Sequence, residues 1–179
     1  MSLSLFNSAL LISLPHWFYA FIWLQPKRYI NFSKTYLSLE SHPVDTMALI
    51  ATILKPIQFL SFIFWYIGTG AMNNLYDLSI WSYLLFIILF GIGQILNAGI
   101  YKAVGKDGVY YGIKLGKKIP WCTGFPFNVV AHPQYVGSVL TAWAVFYILY
   151  TPLHAIGLQF FSIYIPLLYT ITGYIESNY

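Results

Sequence analysis

The stretch from Ile119 to Ile175 contains no charged side chain, and this absence constrains the fold more than any other feature. Its helical part, roughly residues 135–174, would be about 60 Å long as one helix, twice the hydrocarbon thickness of a bilayer. The segment must therefore fold back on itself. Thr151-Pro152-Leu153-His154 supplies a turn with a helix-breaking proline. The sequence predicts a helical hairpin with spans at residues 135–150 and 156–174.

The composition of the whole chain agrees with a membrane location. Of its 179 residues, 59% are apolar and 8% are charged, whereas a soluble domain is typically about one quarter charged. The abundance of aromatic residues excludes a disordered chain. The net charge of +4 is spread over short segments, without the dense basic patch expected of a nucleic-acid-binding protein. These figures predict one all-α integral membrane domain over residues 1–179.

Three further apolar runs predict spans at residues 3–24, 47–72 and 78–101, which brings the total to about five membrane helices. Pro15 predicts a kink in the first span. Lys55 is the single charge of the second span, and we expect it near the N-terminal end, where a long side chain can reach the interface.

Basic residues predict the orientation of these spans. The loops after the first and third spans contain Lys27, Arg28, Lys34, Lys102, Lys106, Lys114, Lys117 and Lys118. The short loop near Asn73-Asn74 contains none. Because positively charged loops stay in the cytoplasm, we expect the N-terminus outside. The loop 102–134 and the C-terminus are then cytosolic.

Small and polar residues interrupt the third span at Gly91-Ile92-Gly93, followed by Gln94 and Asn97. Glycines allow close approach of a neighbouring backbone or a ligand. On spacing alone, helix–helix packing is the more common explanation. A Rossmann turn is excluded because no strand precedes the motif and the third glycine is missing.

The predicted cytosolic loop is rich in glycine and ends in Gly124-Phe125-Pro126-Phe127-Asn128. A long structured loop in a small protein is often functional, although its lysines are also suited to contact anionic headgroups. His132-Pro133-Gln134-Tyr135-Val136-Gly137 follows at the entrance to the hairpin. A histidine at a membrane boundary is ordinarily just solvated, and Glu176 alone could simply mark the polar end of the last helix.

The sequence does not support a metal site or a site with a catalytic nucleophile. The chain has one cysteine, Cys122, and we interpret it as an ordinary small side chain. His16, His42 and His154 have no carboxylate or cysteine at ligand spacing. No Ser-His-Asp or Cys-His arrangement is recognisable.

Together these residues resemble the membrane-bound phosphatidylethanolamine and phosphatidyl-N-methylethanolamine N-methyltransferases, over roughly residues 80–179. Gly91-Ile92-Gly93 looks like the family's GxG element, which binds S-adenosylmethionine. The segments 124–128 and 132–138 look like its "FPFN…(N/H)PxYxGS" signature. Tyr174-Ile175-Glu176 falls where the family has a second cofactor element, usually a pair of glutamates.

The resemblance implies N-methylation of the phosphatidylethanolamine headgroup, or of its mono- and dimethyl forms, towards phosphatidylcholine. The implied cofactor is S-adenosylmethionine, and the implied partner is a phospholipid in the bilayer, in the endoplasmic reticulum membrane. The implied cofactor contacts are Gly91, Ile92, Gly93, Tyr135, Ile175 and Glu176. His132 is expected to bind the cofactor or to take the proton of the amine.

Two departures from related patterns bear on this interpretation. Ile175 stands where the family has the first of two glutamates, so Glu176 must act alone or the pair is dispensable. The isoprenylcysteine carboxyl methyltransferases share an Arg-His-Pro-x-Tyr-x-Gly pattern, and here Ala131 replaces the arginine. This favours a lipid amine as acceptor. The alternatives are an isoprenylcysteine-type carboxyl methyltransferase and a non-catalytic membrane scaffold.

Overall fold

A computed structural model describes residues 3–37, 42–70, 78–150 and 155–178 of the chain. Within these ranges the regular structure is helical and contains no strand, which confirms the all-α prediction. The helices are α1 (Leu5–Leu24), α2 (Pro26–Tyr36), α3 (Pro43–Gly68), α4 (Ile80–Val109), α5 (Pro133–Ile148) and α6 (Ala155–Asn178). The predicted turn 151–154, which includes His154, and the loop at Asn73-Asn74 lie outside the described residues.

Local sequence explains where these helices begin. Pro26, Pro43 and Pro133 each occupy the first turn of a helix, where the missing amide proton costs nothing and the fixed φ is already helical. Ser4 and Ser79 cap α1 and α4, and their hydroxyls accept backbone N–H groups at 3.1 and 3.3 Å. Pro15 lies inside α1, which is one continuous helix.

The helices pack in the spatial order α3, α1, α6, α5 and α4, with α2 against α1 and α3. One core lies between α1, α3, α5 and α6 and includes Ile12, Phe62, Trp65, Phe146 and Phe161. A second core joins α1, α2 and α3 to the loop after α4. It contains Ile22, Tyr29, Val44, Met47 and Leu115.

Four of the described helices, α1, α3, α4 and α6, are long and apolar enough to cross a membrane. Large apolar side chains such as Trp17, Phe59, Ile87 and Ile163 are exposed on them, as expected of lipid-facing surfaces. The protein is therefore an integral membrane protein. Helix α5 has 16 residues, or about 24 Å at 1.5 Å per residue, which is shorter than the hydrocarbon core.

Two helical segments lie where the sequence predicts loops. Helix α2 occupies the loop after the first span. Helix α4 continues to Val109, eight residues beyond the predicted end at Tyr101. The charges of Lys102, Lys106 and Asp107 end the apolar run without ending the helix. Gly105 interrupts α4 with φ 63° and ψ −174°, a conformation that favours glycine.

The expected position of Lys55 near a helix end is wrong. Lys55 lies 12 residues after Pro43, the start of the 26-residue helix α3, or about 18 Å along its axis. The sequence placed the start of this span too late because the polar residues before Met47 already belong to the helix. The ammonium of Lys55 donates to the Tyr169 hydroxyl at 3.4 Å.

Most of the basic residues lie at one end of the helical bundle. Leu115 packs there against Ile22 and Met47, and Lys106 forms an ion pair with Asp45 at the start of α3. The C-terminal ends of α1 and α4 therefore meet the N-terminal end of α3. Apart from Lys55, every lysine and arginine of the chain lies in α2, in the last turns of α4 or in the loop that follows α4.

Candidate active site

A cavity of about 230 Å³ opens at this basic end of the bundle. Its wall comes from the ends of α1, α4 and α6, from the start of α5 and from the loop between α4 and α5. The lining residues are Trp23, Ile100, Val104, Gly108, Val109, Tyr111, Ile113, Phe127, Ala131, His132, Pro133, Gln134, Tyr135 and Glu176. Three of the predicted site residues, His132, Tyr135 and Glu176, therefore meet in one cavity.

Among the described residues of this wall, Glu176 is the only carboxylate. The hydroxyls of Tyr111 and Tyr135 both donate to its Oε1 atom, and the two hydroxyl oxygens are 3.4 Å apart. Burial, together with the neighbouring Glu176 charge, raises the pKa of the Tyr111 hydroxyl well above its ordinary value of 10. The phenol therefore stays a neutral donor at physiological pH and fixes the orientation of the carboxylate.

Tyr111 is held in an unusual backbone conformation, with φ 55°. This left-handed region is uncommon for a residue other than glycine. Two short backbone hydrogen bonds of 2.7 Å flank it, from Gly112 to Asp107 and from Lys117 to Gly112. The Tyr111 ring also packs edge-on against Trp23 with centroids 5.0 Å apart. The loop thus directs this phenol at Glu176 at some conformational cost.

The His132 ring lies parallel to the Tyr135 ring, with centroids 5.6 Å apart and an angle of 9°. Its Nε2 atom is 3.2 Å from the Ser177 hydroxyl. Gly173 of α6 faces both rings, and a Cβ there would stand 3.5 Å from Tyr135 and 3.7 Å from His132. The start of α5 and the end of α6 are therefore in direct contact beside Glu176.

The Phe125-Pro126-Phe127-Asn128 segment forms turns that shape the loop, with Phe127 N–H donating to the Gly124 carbonyl at 2.9 Å. The Phe125 ring lies against α4 at Gly99, where a Cβ would come within 2.6 Å of it. This packing places Phe127 in the cavity wall. The motif acts here as a support that joins the loop to α4.

The Gly91-Ile92-Gly93 segment of α4 lies outside the Glu176 cavity. Gly93 packs on α5, where a Cβ would come within 2.5 Å of Thr141 Oγ1 and 2.6 Å of the Gly137 carbonyl oxygen. Gly91 has no neighbour within 4 Å of such a Cβ, and the Ile92 side chain is exposed. The structure therefore gives Gly93 a packing role, and the cofactor role of this segment stays a prediction.

Ile175 adjoins Glu176 on α6 but does not line the cavity. Sequence reasoning did not assign a role to Tyr111, Trp23 or Phe127, which also line the cavity. The signal for Phe127 was the motif that contains it. Tyr111 stands in a glycine-rich loop and Trp23 at the end of an apolar run, and neither has a local pattern that marks it.

The cavity suits a cationic organic ligand with hydrogen-bonding groups. The Glu176 carboxylate supplies negative charge, and the face of Tyr135 attracts cations such as sulfonium and ammonium groups. The Trp23 indole N–H is buried and has no hydrogen-bond partner in the described part of the protein. Such a donor is costly to bury unless a ligand or water satisfies it. Lys114 lies over the Trp23 ring at 4.3 Å.

Comparisons with known proteins agree on one family. The phospholipid methyltransferase family model matches residues 81–178. A phosphatidyl-N-methylethanolamine N-methyltransferase of Arabidopsis thaliana is 35% identical over 137 residues, which cover 76% of this chain and 75% of the relative. A phosphatidylethanolamine N-methyltransferase A of Dictyostelium discoideum is 42% identical over 57 residues, or 30% of this chain and 25% of that protein.

A phosphatidyl-N-methylethanolamine N-methyltransferase of Saccharomyces cerevisiae is 39% identical over 59 residues. They cover 31% of this chain and 27% of the yeast protein. No solved structure matches the chain significantly.

Proposed function

The chain belongs to the phospholipid methyltransferase family, and from this membership we propose that it transfers methyl groups to the headgroup amine of phosphatidylethanolamine or its methylated forms. One observation carries the assignment to this cavity. The family match over residues 81–178 includes every residue of the cavity wall except Trp23. The part of the chain that matches the family model therefore contains most of the Glu176 site.

The cofactor we propose is S-adenosylmethionine, which the methyltransferase family implies. When bound, it supplies an electrophilic methyl group on a sulfonium. The wall fits such a molecule because it joins one carboxylate, a cation-attracting aromatic face and an unsatisfied indole N–H. Glu176 would hold the cationic or hydroxyl groups of the cofactor, and the hydrogen bonds from Tyr111 and Tyr135 would orient its carboxylate.

His132 is the proposed proton acceptor. A lipid amine is largely protonated near neutral pH and must lose a proton before its nitrogen can attack a methyl group. An imidazole can act as a general base through its unprotonated ring nitrogen. If Nε2 donates to the Ser177 hydroxyl, Nδ1 carries the free lone pair; in the opposite tautomer Nε2 accepts from that hydroxyl and Nδ1 carries the proton. The close fit of the start of α5 to α6 would orient the reactants.

The basic end of the bundle supports a cytosolic active site. Because positively charged segments stay in the cytoplasm, we propose that α2, the loop after α4 and Glu176 face the cytosol, with the N-terminus outside. Helix α5, although short, would return the chain through the membrane with α6 as the hairpin that the sequence predicts. We propose the endoplasmic reticulum membrane as the location on the resemblance to the family.

A lipid methylation assay tests this function. Membranes containing the protein are given methyl-labelled S-adenosylmethionine, and the mono-, di- and trimethylated lipids are separated. We expect labelled phospholipid from phosphatidylethanolamine or phosphatidyl-N-methylethanolamine and no labelled ester from a prenylcysteine. Labelled ester without labelled phospholipid would contradict the proposal. The Arabidopsis, Dictyostelium and yeast relatives are all named as phospholipid methyltransferases, which favours the amine acceptor.

A further inference from the structure

A second cavity, of about 340 Å³, lies deeper in the bundle and contains Lys55. Its wall is mostly apolar and includes Ile12, Phe59 and Phe62. Polar side chains from three helices also face it: Gln58 from α3, Asn97 from α4, and Ser138 and Thr141 from α5. A lysine in the middle of a membrane helix is costly, and such residues commonly mark a substrate path or a partner of opposite charge.

The charge of Lys55 is not neutralised by the described part of the protein. Of the described carboxylates, Asp45 pairs with Lys106, Asp107 pairs with Lys117 at 3.2 Å, and Glu176 accepts the two tyrosine hydroxyls. The hydrogen bond of Lys55 to the Tyr169 hydroxyl is long, at 3.4 Å. A cation placed this deep requires an anion to offset its desolvation. An anionic ligand group would supply it.

The Lys55 cavity adjoins the candidate active site through two tyrosines. Tyr169 lines the Lys55 cavity, and its ring lies 5.3 Å from the Tyr135 ring. Tyr135 in turn donates to Glu176 in the first cavity. A molecule with an anionic group on Lys55 and a short linker to an amine would thus direct that amine along the tyrosine pair towards Glu176.

We propose that Lys55 binds the phosphodiester of the acceptor phospholipid and so positions the headgroup amine for methylation. The proposal rests on the function proposed above. The mixed wall suits an amphiphile, because Phe59 and Phe62 can face acyl chains while Asn97 and Ser138 can donate to phosphate oxygens. The side chains of Asn97 and Ser138 make no hydrogen bond to the described residues.

A separate groove between α5 and α6 also reaches Tyr135 and Tyr169. Its wall includes Val136, Leu140, Trp143 and Tyr174. No lysine or arginine lines that groove. An acyl chain could lie there, but no described lysine or arginine would hold the phosphate. The position of Lys55 therefore favours the deeper cavity as the phosphate site.

Steady-state kinetics of the full chain in nanodiscs test the proposal. Lys55→Met removes the charge and keeps the length, Lys55→Arg keeps the charge, and Lys102→Met removes an exposed lysine of α4 outside both cavities. We expect Lys55→Met to raise the KM for the phospholipid about tenfold or more, with the KM for S-adenosylmethionine unchanged. Lys55→Arg should restore most of the loss, and Lys102→Met should match the wild type.

An unchanged lipid KM in Lys55→Met would overturn the proposal. A raised KM for S-adenosylmethionine alone would also overturn it, because Lys55 would then bind the cofactor's carboxylate.

A binding measurement separates this proposal from the failure of the proposed function, since it needs no turnover. Native mass spectrometry compares retention of phosphatidic acid, which has the phosphate but no amine, with diacylglycerol, which has neither. We expect the wild type to retain phosphatidic acid preferentially and Lys55→Met to lose that preference. If Lys55→Met does not fold, the wild type and Lys55→Arg still provide the comparison. Equal retention of the two lipids by the wild type would overturn the assignment even if the methylation assay succeeds.

Discussion

The Tyr111 hydroxyl donates to the Glu176 carboxylate, which joins the loop after α4 to the last helix across 65 residues of sequence. Tyr111 adopts a left-handed backbone conformation to do so, and its phenol is held neutral by burial. Glu176 is thus an oriented hydrogen-bond acceptor inside a cavity and not merely a solvated residue at a helix end. This relationship underlies the first prediction.

Tyr111→Phe should weaken cofactor binding and leave the fold intact. The substitution removes one hydrogen bond to a charged acceptor, worth about 1.5–3 kcal/mol, and preserves the ring contact with Trp23. We expect the Kd for S-adenosylmethionine, measured by calorimetry, to rise about tenfold or more. Tyr110→Phe is the control, because the Tyr110 hydroxyl forms a hydrogen bond of 2.8 Å with the Tyr101 hydroxyl and none with Glu176. Equal affinities for both variants would contradict the role of Tyr111.

The two glycines of the third span should respond differently to alanine. In Gly93→Ala the new methyl group would meet the Gly137 backbone at 2.6 Å, so we expect a loss of about 1–3 kcal/mol in unfolding free energy. Gly91→Ala has open space and should keep or slightly raise the stability, because alanine favours a helix more than glycine does. Thermal unfolding in detergent measures this difference. If Gly93→Ala is as stable as Gly91→Ala, the packing described here is incorrect.

Gly91→Ala also tests whether the Gly91-Ile92-Gly93 segment binds S-adenosylmethionine. If it does, Gly91→Ala should raise the Kd for S-adenosylmethionine without lowering the unfolding temperature. An unchanged Kd would restrict this segment to the packing of α4 on α5.

Much of the fold follows from hydrophobic length alone. The apolar runs predict the long helices α1, α3, α4 and α6 within a few residues, because a bilayer requires continuous apolar helices. Helix α2 cannot be predicted from hydrophobic length, because it is short and polar, with Lys27, Arg28 and Lys34 among its 11 residues. The extension of α4 to Val109 cannot be predicted in this way either, because charge ends a hydropathy signal but does not end a helix.

The candidate site is recovered from sequence only in part. His132, Tyr135 and Glu176 could be selected because their motifs resemble those of the phospholipid methyltransferases, and they do meet. The depth of Lys55 could not be inferred, because it depends on where α3 begins. Nor could the position of Tyr111, since a loop's path is set by tertiary contacts such as Leu115 against Ile22 and Met47.

His132→Gln should lower kcat about 100-fold or more, within the usual contribution of a general base, with little change in the KM for the lipid. Raising the pH should restore part of the loss, because solvent can then deprotonate the lipid amine. Ser177→Ala removes the hydroxyl 3.2 Å from His132 Nε2 and is expected to cost far less. A rate defect in His132→Gln that does not respond to pH would contradict a proton-accepting role.

The affinity of the purified protein for S-adenosylmethionine, measured in the wild type and in Glu176→Gln, tests whether this carboxylate belongs to the cofactor site. Glutamine keeps the shape of the side chain but removes the charge in the cavity. The control is Asp107→Asn, which removes a carboxylate paired with Lys117 outside the cavity. We predict that Glu176→Gln loses affinity about tenfold or more and that Asp107→Asn binds like the wild type. Wild-type affinity in Glu176→Gln would contradict the central claim that this carboxylate holds the methyl donor.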